Sequence, residues 1–507
     1  MFKELKTKTK IPTYKYLVEG EWQESRSRKL ISIFSPIDRS LVGRIQSVKK
    51  NEANLVVTGA SIAQAQWAKI LIAKKMQILK RAAISLSKNK SLLAKLLIQE
   101  VGKIKKDAES EVEHSVEIIN KVIKNAQCLD YVIKKENETC NITCQPAGVV
   151  LCISPFNYPI YTAISQIIPA IIAGNSVILK PSMYGSISTL HLAQILNKAG
   201  LPAGVINVIT GRGNDIGRYL ATHELINMTY FTGSTKVGKE IAKKTNMAQV
   251  VLEMGGKDAA IVLKDADLEH AAREIVDGAF LYSGQRCMAI KRVIVDTKIK
   301  DKLISKMGDY IKRDFAEIGD PRDAKTQLGP VISDIQADYI EKLIKDARKK
   351  GAKVICGGVR FNVAKRKMKL SRRLLELPRR VIRLRRGQGR YFCPTILDKV
   401  KPNMRIAWEE QFGPVLPVIS VRKEAEMINI TNASEYGLDA AIFTKDINKA
   451  RKMAEDLNVG QVFVNMKPHR APDEFPFTGA KNSGMGTQGI PYTQKEMIKI
   501  KSLRISS

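Results

Sequence analysis

CQPAGVVLCISPFNYPIYTAISQIIPAIIAGNSVILKPS, residues 144–182, decides how this chain is read. From Cys144 to Leu179 it holds no charged residue, a length that would satisfy a bilayer crossing. Pro146, Pro155, Pro159 and Pro169 interrupt it, and Asn157 sits mid-run. Such a broken backbone is costly in lipid. The stretch divides better into GVVLCISP as a buried strand, YTAISQIIPAIIAG as a helix and NSVILKPS as a second buried strand. That is a βαβ unit of a parallel sheet, whose strands read as unbroken apolar runs because both faces are covered.

Outward from it the alternation continues. SISTLHLAQILNKAG is a helix stopping at Gly200 with Pro202 beyond, followed by VINVITG, a helix over 214–223, INMTYFTGS, VGKEIAKKT and QVVLEMGG. This predicts a doubly wound α/β pattern over about 145–256. A second alternation runs from a helix at about Leu268–Ser283 through RVIVD, helices over 299–315 and 333–349, KVICGG, and further strands to Val464. Before the unit, YKYLVEGEW and ISIFSP read as strands and Asn51–Lys124 as long helices.

At 507 residues the chain is long enough for two or three domains, and 44% apolar with 26% charged residues excludes wholesale disorder. The net charge of +34 attracts anions without choosing among nucleic acid, acidic membrane and phosphorylated metabolites. Residues 360–390 carry thirteen basic residues and one acid, Glu376, a net +12, which fits a solvated insertion or a contact with RNA or anionic lipid. They contain Pro378 and, within 362–390, no aromatic platform for nucleic acid. The seven cysteines are scattered without metal-like spacing, so no metal site is expected. The opening MFKELKTKTKIPTYKYL has no apolar signal core, and a cytoplasmic protein is the expectation.

Several short segments carry chemistry. Cys287, in SGQRCMAIKRVIV, follows a helix pattern and adjoins Arg286, whose charge favours a thiolate; an inert core thiol is the plain alternative. Glu253, in LEMGGKD, ends a buried strand, where a carboxylate needs a partner or a task. FTGSTKVG runs strand, turn, helix, so Gly233 and Ser234 would offer backbone N–H groups to a pyrophosphate. GRGNDIG (211–217) lacks the dinucleotide spacing and fits a turn. Asn157 and Tyr158 stand just past a strand's carboxyl end, where α/β sheets collect ligands.

Together, ISPFNYP, VILKPS, FTGSTKVG, LEMGGKDAAIV, GQRCMAIKRV, EEQFGPVLP and FPFTGAKNSGMG occur in an order and spacing that resemble the aldehyde dehydrogenase superfamily over about 15–505. Within it, SGQRC followed by AIKRV, LEMGGKDAAIVLKDADLE and RAPDEFPF look most like the non-phosphorylating glyceraldehyde-3-phosphate dehydrogenases. The resemblance implies an aldehyde dehydrogenase-like α/β fold. Its parts would be a Rossmann-type cofactor domain (1–128 and 145–256), a catalytic domain (257–464, with the insertion 360–390), and an oligomerisation element with the C-terminal segment (129–144 and 465–507). It further implies a homodimer or homotetramer. Cys287 matches the nucleophile, Asn157 the oxyanion amide and Glu253 the base for deacylation. Lys180, Ser182, Gly233, Ser234, Glu410 and Phe412 match cofactor positions. Where NAD-preferring relatives carry a glutamate, Met183 stands here, so NADP is expected, with NAD the alternative.

Tyr158, Arg286 and Arg470 match contacts to a substrate phosphate. A further arginine is expected on the helix SEVEHSVEII, and the sequence has His114 there, which could donate a hydrogen bond and more strongly when protonated. The implied reaction is NADP-dependent oxidation of glyceraldehyde-3-phosphate to 3-phosphoglycerate without inorganic phosphate. Two alternatives stand beside it: oxidation of lactaldehyde, a semialdehyde or another small aldehyde, and a nucleic-acid or membrane-surface binding protein on the same scaffold.

Overall fold

The structure is a computed structural model that describes residues 2–126, 130–361, 368–369 and 389–506. Most of the basic insertion 360–390, and with it the nucleic-acid contact weighed above, lies outside the described residues.

The charge-free run folds as the strand Val149–Ser154, the helix Pro159–Ile172 and the strand Ser176–Pro181. Pro159 opens the helix at its first turn, where no backbone N–H is missed. Ile160, Ile164, Ile167, Ile168 and Ile171 are fully buried, each stabilising the fold by about 2 kcal/mol. Among the described residues no helix is long and apolar enough to cross a membrane.

Val149–Ser154 lies at the centre of an eight-stranded sheet. On one side follow Ser176–Pro181 and Ile206–Val208; on the other follow Met228–Thr232 and Gln249–Glu253, all five strands parallel. The chain therefore reverses its winding between Val149–Ser154 and Met228–Thr232, and the carboxyl ends of these neighbours open a crevice where such sheets bind ligands. Tyr16–Val18 and Glu21–Gln23 extend one edge antiparallel, and Gly484–Met485 closes the other against Gln249–Glu253. The N-terminal helical region is four helices, Lys50–Trp67, Ile72–Lys88, Lys90–Val101 and Lys105–Lys124.

A second sheet of seven strands takes the order Lys353–Cys356, Thr395–Asp398, Val415–Val421, Arg292–Asp296, Ala259–Val262, Asp439–Phe443 and Gln461–Val464. A third, antiparallel and exposed, joins Tyr131–Lys135, Glu138–Pro146 and Ile498–Ser506. The ends of the basic insertion are held together, because Arg360–Phe361 pairs with Tyr391–Phe392.

Two helices differ from expectation. The 214–223 segment is a π-helical turn, Gly213–Gly217, running into the short helix Arg218–Ala221. There a side chain on Gly217 would crowd the Lys180 stem, its Cβ lying 3.2 Å from Cε. The second helix stops at Phe280 instead of Ser283. Tyr282 (φ 53°), Ser283 (φ 55°) and Gly284 (φ 70°) are all left-handed, which costs about 1–3 kcal/mol for each residue with a side chain. Tertiary contacts hold the bend: the Tyr282 hydroxyl donates to Val101 O at 3.2 Å and the Ser283 hydroxyl to Gly329 O at 2.7 Å.

Candidate active site

The left-handed bend delivers Arg286 and Cys287 to a cavity of about 780 Å³ between the two large sheets. Gln285 is fully buried and pins this loop: its amide donates to Pro330 O at 3.2 Å, and its oxygen accepts from the Ile332 N–H at 2.8 Å. Cys287 faces Glu253, the last residue of the strand Gln249–Glu253, and the thiol donates a hydrogen bond to that carboxylate. Burial pushes the thiol well above its ordinary value, and the Glu253 charge pushes it further. Burial likewise raises the Glu253 carboxyl. The pair is thus built to pass a proton from sulfur to carboxylate.

Arg286 does not act as its sequence position suggested. Its Nη2 donates to Gly278 O at 2.8 Å, and the cation that opposes the rise of the thiol is Lys291. Lys291 Nζ donates to Cys287 O, lies 3.3 Å from Glu410 Oε1 and is 3.7 Å from Asp258 Oδ2, so it ties the nucleophile's backbone to the second sheet. Asn157 is buried beside the nucleophile loop. One hydrogen of its amide goes to Gln285 O at 3.0 Å, and the group lines the cavity. An amide has a second hydrogen to offer an oxyanion.

On the cofactor side, Ser182, Gly233, Ser234, Glu410 and Phe412 line the same cavity. Gly233 is a correction: its N–H is taken by Glu253 O at 3.0 Å, because the turn closes back onto the neighbouring strand. The N–H groups left open to an anion are instead those in the first turn of the helix Thr235–Lys244. Its N-cap Ser234 makes no side-chain cap bond, and its first turn holds no acidic residue. The two glycines of LEMGGKD make room: a side chain on Gly255 would collide with the Glu410 carboxylate, whose Oε1 accepts the Gly256 N–H at 3.1 Å. Lys180 lies buried at the end of its strand instead of lining the cavity; its Nζ donates to Pro181 O at 3.3 Å. Burial lowers it to about 8, and among the described residues no carboxylate pairs with it.

The remaining wall is cationic and aromatic. The Arg470 guanidinium stacks 4.1 Å from the Phe477 ring centroid, and its buried Nε and Nη1 have no hydrogen-bond partner. Arg286 Nε is likewise buried without a partner. Tyr158 packs under the Lys103 ammonium, 3.6 Å from its ring centroid. His114 lines the cavity, but Nε2 lies 3.1 Å from Asp473 Oδ2 and Nδ1 3.7 Å from Glu117 Oε2. Tyr161, Asp473 and Lys103 escaped the sequence reading. Tyr161 was findable as the residue one helical turn after Tyr158 on the same face, and Asp473 lies inside the RAPDEFPF segment. Among the described residues no cluster of His, Cys, Asp and Glu could hold a metal.

A doubly wound cofactor crevice facing a buried Cys–Glu pair is the arrangement of one enzyme class. The chain belongs to the aldehyde dehydrogenase family, whose model matches residues 22–371 and 376–503. It is 41% identical over 497 residues to a Streptococcus equinus protein named NADP-dependent glyceraldehyde-3-phosphate dehydrogenase, covering 96% of this chain and 98% of that protein. The crystal structure of NADP-dependent glyceraldehyde-3-phosphate dehydrogenase from Bacillus halodurans C-125 complexed with NADP superposes with a TM-score of 0.89 at 39% identity, covering 97% of this chain and 99% of that one. A Methanocaldococcus jannaschii protein named lactaldehyde dehydrogenase is 34% identical over 496 residues, 96% of this chain and 99% of that protein.

Proposed function

We propose that this protein oxidises glyceraldehyde-3-phosphate to 3-phosphoglycerate with NADP and water, without inorganic phosphate. The observation that carries the reading is one cavity with the Cys287–Glu253 pair on one wall and the uncommitted nitrogens of Arg470 on another. Uncharged aldehydes have no use for a buried guanidinium held open in this way. The names of the relatives point the same way.

Glu253 takes the Cys287 proton as sulfur attacks the aldehyde carbon, and the Asn157 amide with the Cys287 N–H holds the resulting oxyanion. Bound NADP supplies the hydride acceptor, with its pyrophosphate at the start of the helix Thr235–Lys244, Glu410 and Phe412 at the nicotinamide end, and Lys180 beside Ser182 at the adenosine ribose. Buried Lys180, lacking a carboxylate, fits a 2′-phosphate. Loss of hydride leaves a thioester on Cys287. Glu253 gives the first proton to solvent and then takes one from a water that attacks the acyl carbon; sulfur leaves as thiolate and recovers that proton from Glu253, while the acid product loses its own proton to solvent as the carboxylate. Arg470, Arg286 and Tyr158 form the phosphate end of the substrate site, with His114 beside it and paired with Asp473.

The test is NADP reduction in phosphate-free buffer with D-glyceraldehyde-3-phosphate, lactaldehyde and succinate semialdehyde in parallel. The phosphorylated aldehyde is expected to give the highest kcat/KM; preference for either of the others moves the substrate and leaves the thioester chemistry. Arg470→Ala is expected to raise KM for the phosphorylated aldehyde roughly 10–100-fold, the value of a charge-assisted hydrogen bond, with little change for lactaldehyde. Equal loss for both removes Arg470 from phosphate recognition.

The exposed sheet supports a homo-oligomer, because it displays Tyr131, Val132, Ile133, Ile500, Leu503 and Ile505 to solvent. Free cysteines on the described chain accord with a cytoplasmic setting.

A further inference from the structure

His114 stands on the wall of the cavity with Nε2 committed to a carboxylate and Nδ1 facing another. Nε2 faces Asp473 Oδ2 and Nδ1 faces Glu117 Oε2, with the imidazole 32% exposed and the Asp473 side chain 2% exposed. The second Asp473 oxygen accepts the Tyr161 hydroxyl at 2.6 Å, and the positive charge of Arg470 acts on the same phenol, opposing the rise that burial causes. The Tyr161 ring lies edge-on to His114 at 5.5 Å. Lys121, two turns along the same helix as His114, is 3.6 Å from Asp473 Oδ2 and 3.1 Å from Glu474 Oε2. The charged and titratable groups around the imidazole are therefore Glu117 and Lys121 from its own helix, Tyr161 from the helix Pro159–Ile172, and Asp473 from the C-terminal segment. Arg470 stands behind Tyr161.

These contacts form one chain, imidazole to carboxylate to phenol to guanidinium, and the guanidinium is the group with nitrogens to spare. Its net charge turns on one proton. With His114 protonated, the Asp473 charge is balanced locally and Arg470 faces the cavity as a full cation. With His114 neutral, a buried carboxylate beyond the Tyr161 phenol competes for that cation and repels an incoming dianion.

We propose that His114 is a positioning and specificity residue, acting through Asp473 and Tyr161 to set how strongly Arg470 holds the phosphate of the substrate, so that discrimination between phosphorylated and unphosphorylated aldehydes depends on pH. This rests on the function proposed above. The sign follows from the contacts. The hydrogen bond that His114 donates to Asp473 raises the imidazole above its ordinary value, so the cation persists through a wider range. Burial alone would raise the Asp473 carboxyl, but His114 and Tyr161 carry it below the usual range and it stays ionised. Phosphate affinity is therefore full on the acid side and falls as pH rises through the raised imidazole value. One charge at this range is worth roughly fivefold in KM.

The experiment is steady-state NADP reduction from about pH 5.5 to 9, read as the ratio of KM for glyceraldehyde-3-phosphate to KM for glyceraldehyde. It uses the unaltered protein, His114→Gln and His114→Arg. The second ionisation of the substrate phosphate, near pH 6, is common to all three and cancels between them. The unaltered protein is expected to show the ratio rising about fivefold across the alkaline limb, with kcat little changed. His114→Arg carries a cation that does not titrate and should give a flat, low ratio, whereas His114→Gln should give a flat, high one. A His114→Gln or His114→Arg protein that keeps the original slope overturns the proposal, as does a slope carried in kcat. If either variant is recovered unfolded, the other decides. No turnover of the phosphorylated aldehyde by any of the three overturns this inference and the function beneath it; turnover with an unchanged slope overturns this inference alone.

Discussion

Cys287→Ala is expected to abolish aldehyde oxidation, by roughly 10⁴-fold or more, while leaving NADP binding intact. The effect is large because the cavity offers no substitute. Among the described residues Cys287 is the one cysteine lining it, and its thiol faces the Glu253 carboxylate. The residues that fit the cofactor lie on other elements, Ser182, Glu410 and the helix Thr235–Lys244, so NADP fluorescence titration separates the two functions. Turnover surviving in the alanine protein would remove sulfur from the mechanism. The same contacts fix the pH response. With the thiol raised by burial and by Glu253, the free protein should be alkylated slowly by iodoacetamide at neutral pH and faster as pH rises.

Glu253→Gln is the second large effect. Acylation and deacylation make different demands on this carboxylate, so its loss splits them. Release of 3-phosphoglycerate should slow by about 10²–10⁴-fold for want of a base, and product NADPH should appear as a burst of about one equivalent followed by a slow steady state. The substitution also removes the negative charge facing sulfur, so the alkylation profile of Cys287 should move to lower pH. Full steady-state turnover in this protein would take Glu253 out of the chemistry, and an unmoved alkylation profile would deny the contact with Cys287. In the unaltered enzyme, burial raises Glu253, so the acid limb of kcat should stand above the ordinary carboxylate range and activity should fall as pH drops through it.

What was legible in the sequence is what local chemistry dictates. Unbroken apolar runs marked the parallel strands, prolines divided them, and Glu253 at a strand end with Cys287 after a helix placed the reacting pair. What was not legible depends on residues far apart in the chain. Arg286 adjoins Cys287 in sequence, yet the bend at Tyr282–Gly284 turns its Nη2 to Gly278 O, and Lys291 supplies the cation. Gly233 resembled a phosphate-binding glycine until the strand beside it claimed its N–H. His114 read as a direct phosphate contact, because its partner Asp473 is 359 positions away. The edge strand Gly484–Met485 joins the central sheet from late in the chain, where two residues are too short for periodicity to register.

The left-handed bend also bears on when activity arises during folding. Tyr282 and Ser283 hold their conformation only while Val101 and Gly329 accept their hydroxyls, and those acceptors belong to segments about 181 and 46 positions away. A nascent or partly melted chain can form the helix Leu268–Phe280 from its own hydrogen bonds, but it cannot hold Cys287 against Glu253 until the helical N-terminal region and the loop at 329–332 have docked. Catalytic competence is thus a property of the closed tertiary structure, and a chain that has formed its local helices without these long-range contacts lacks it.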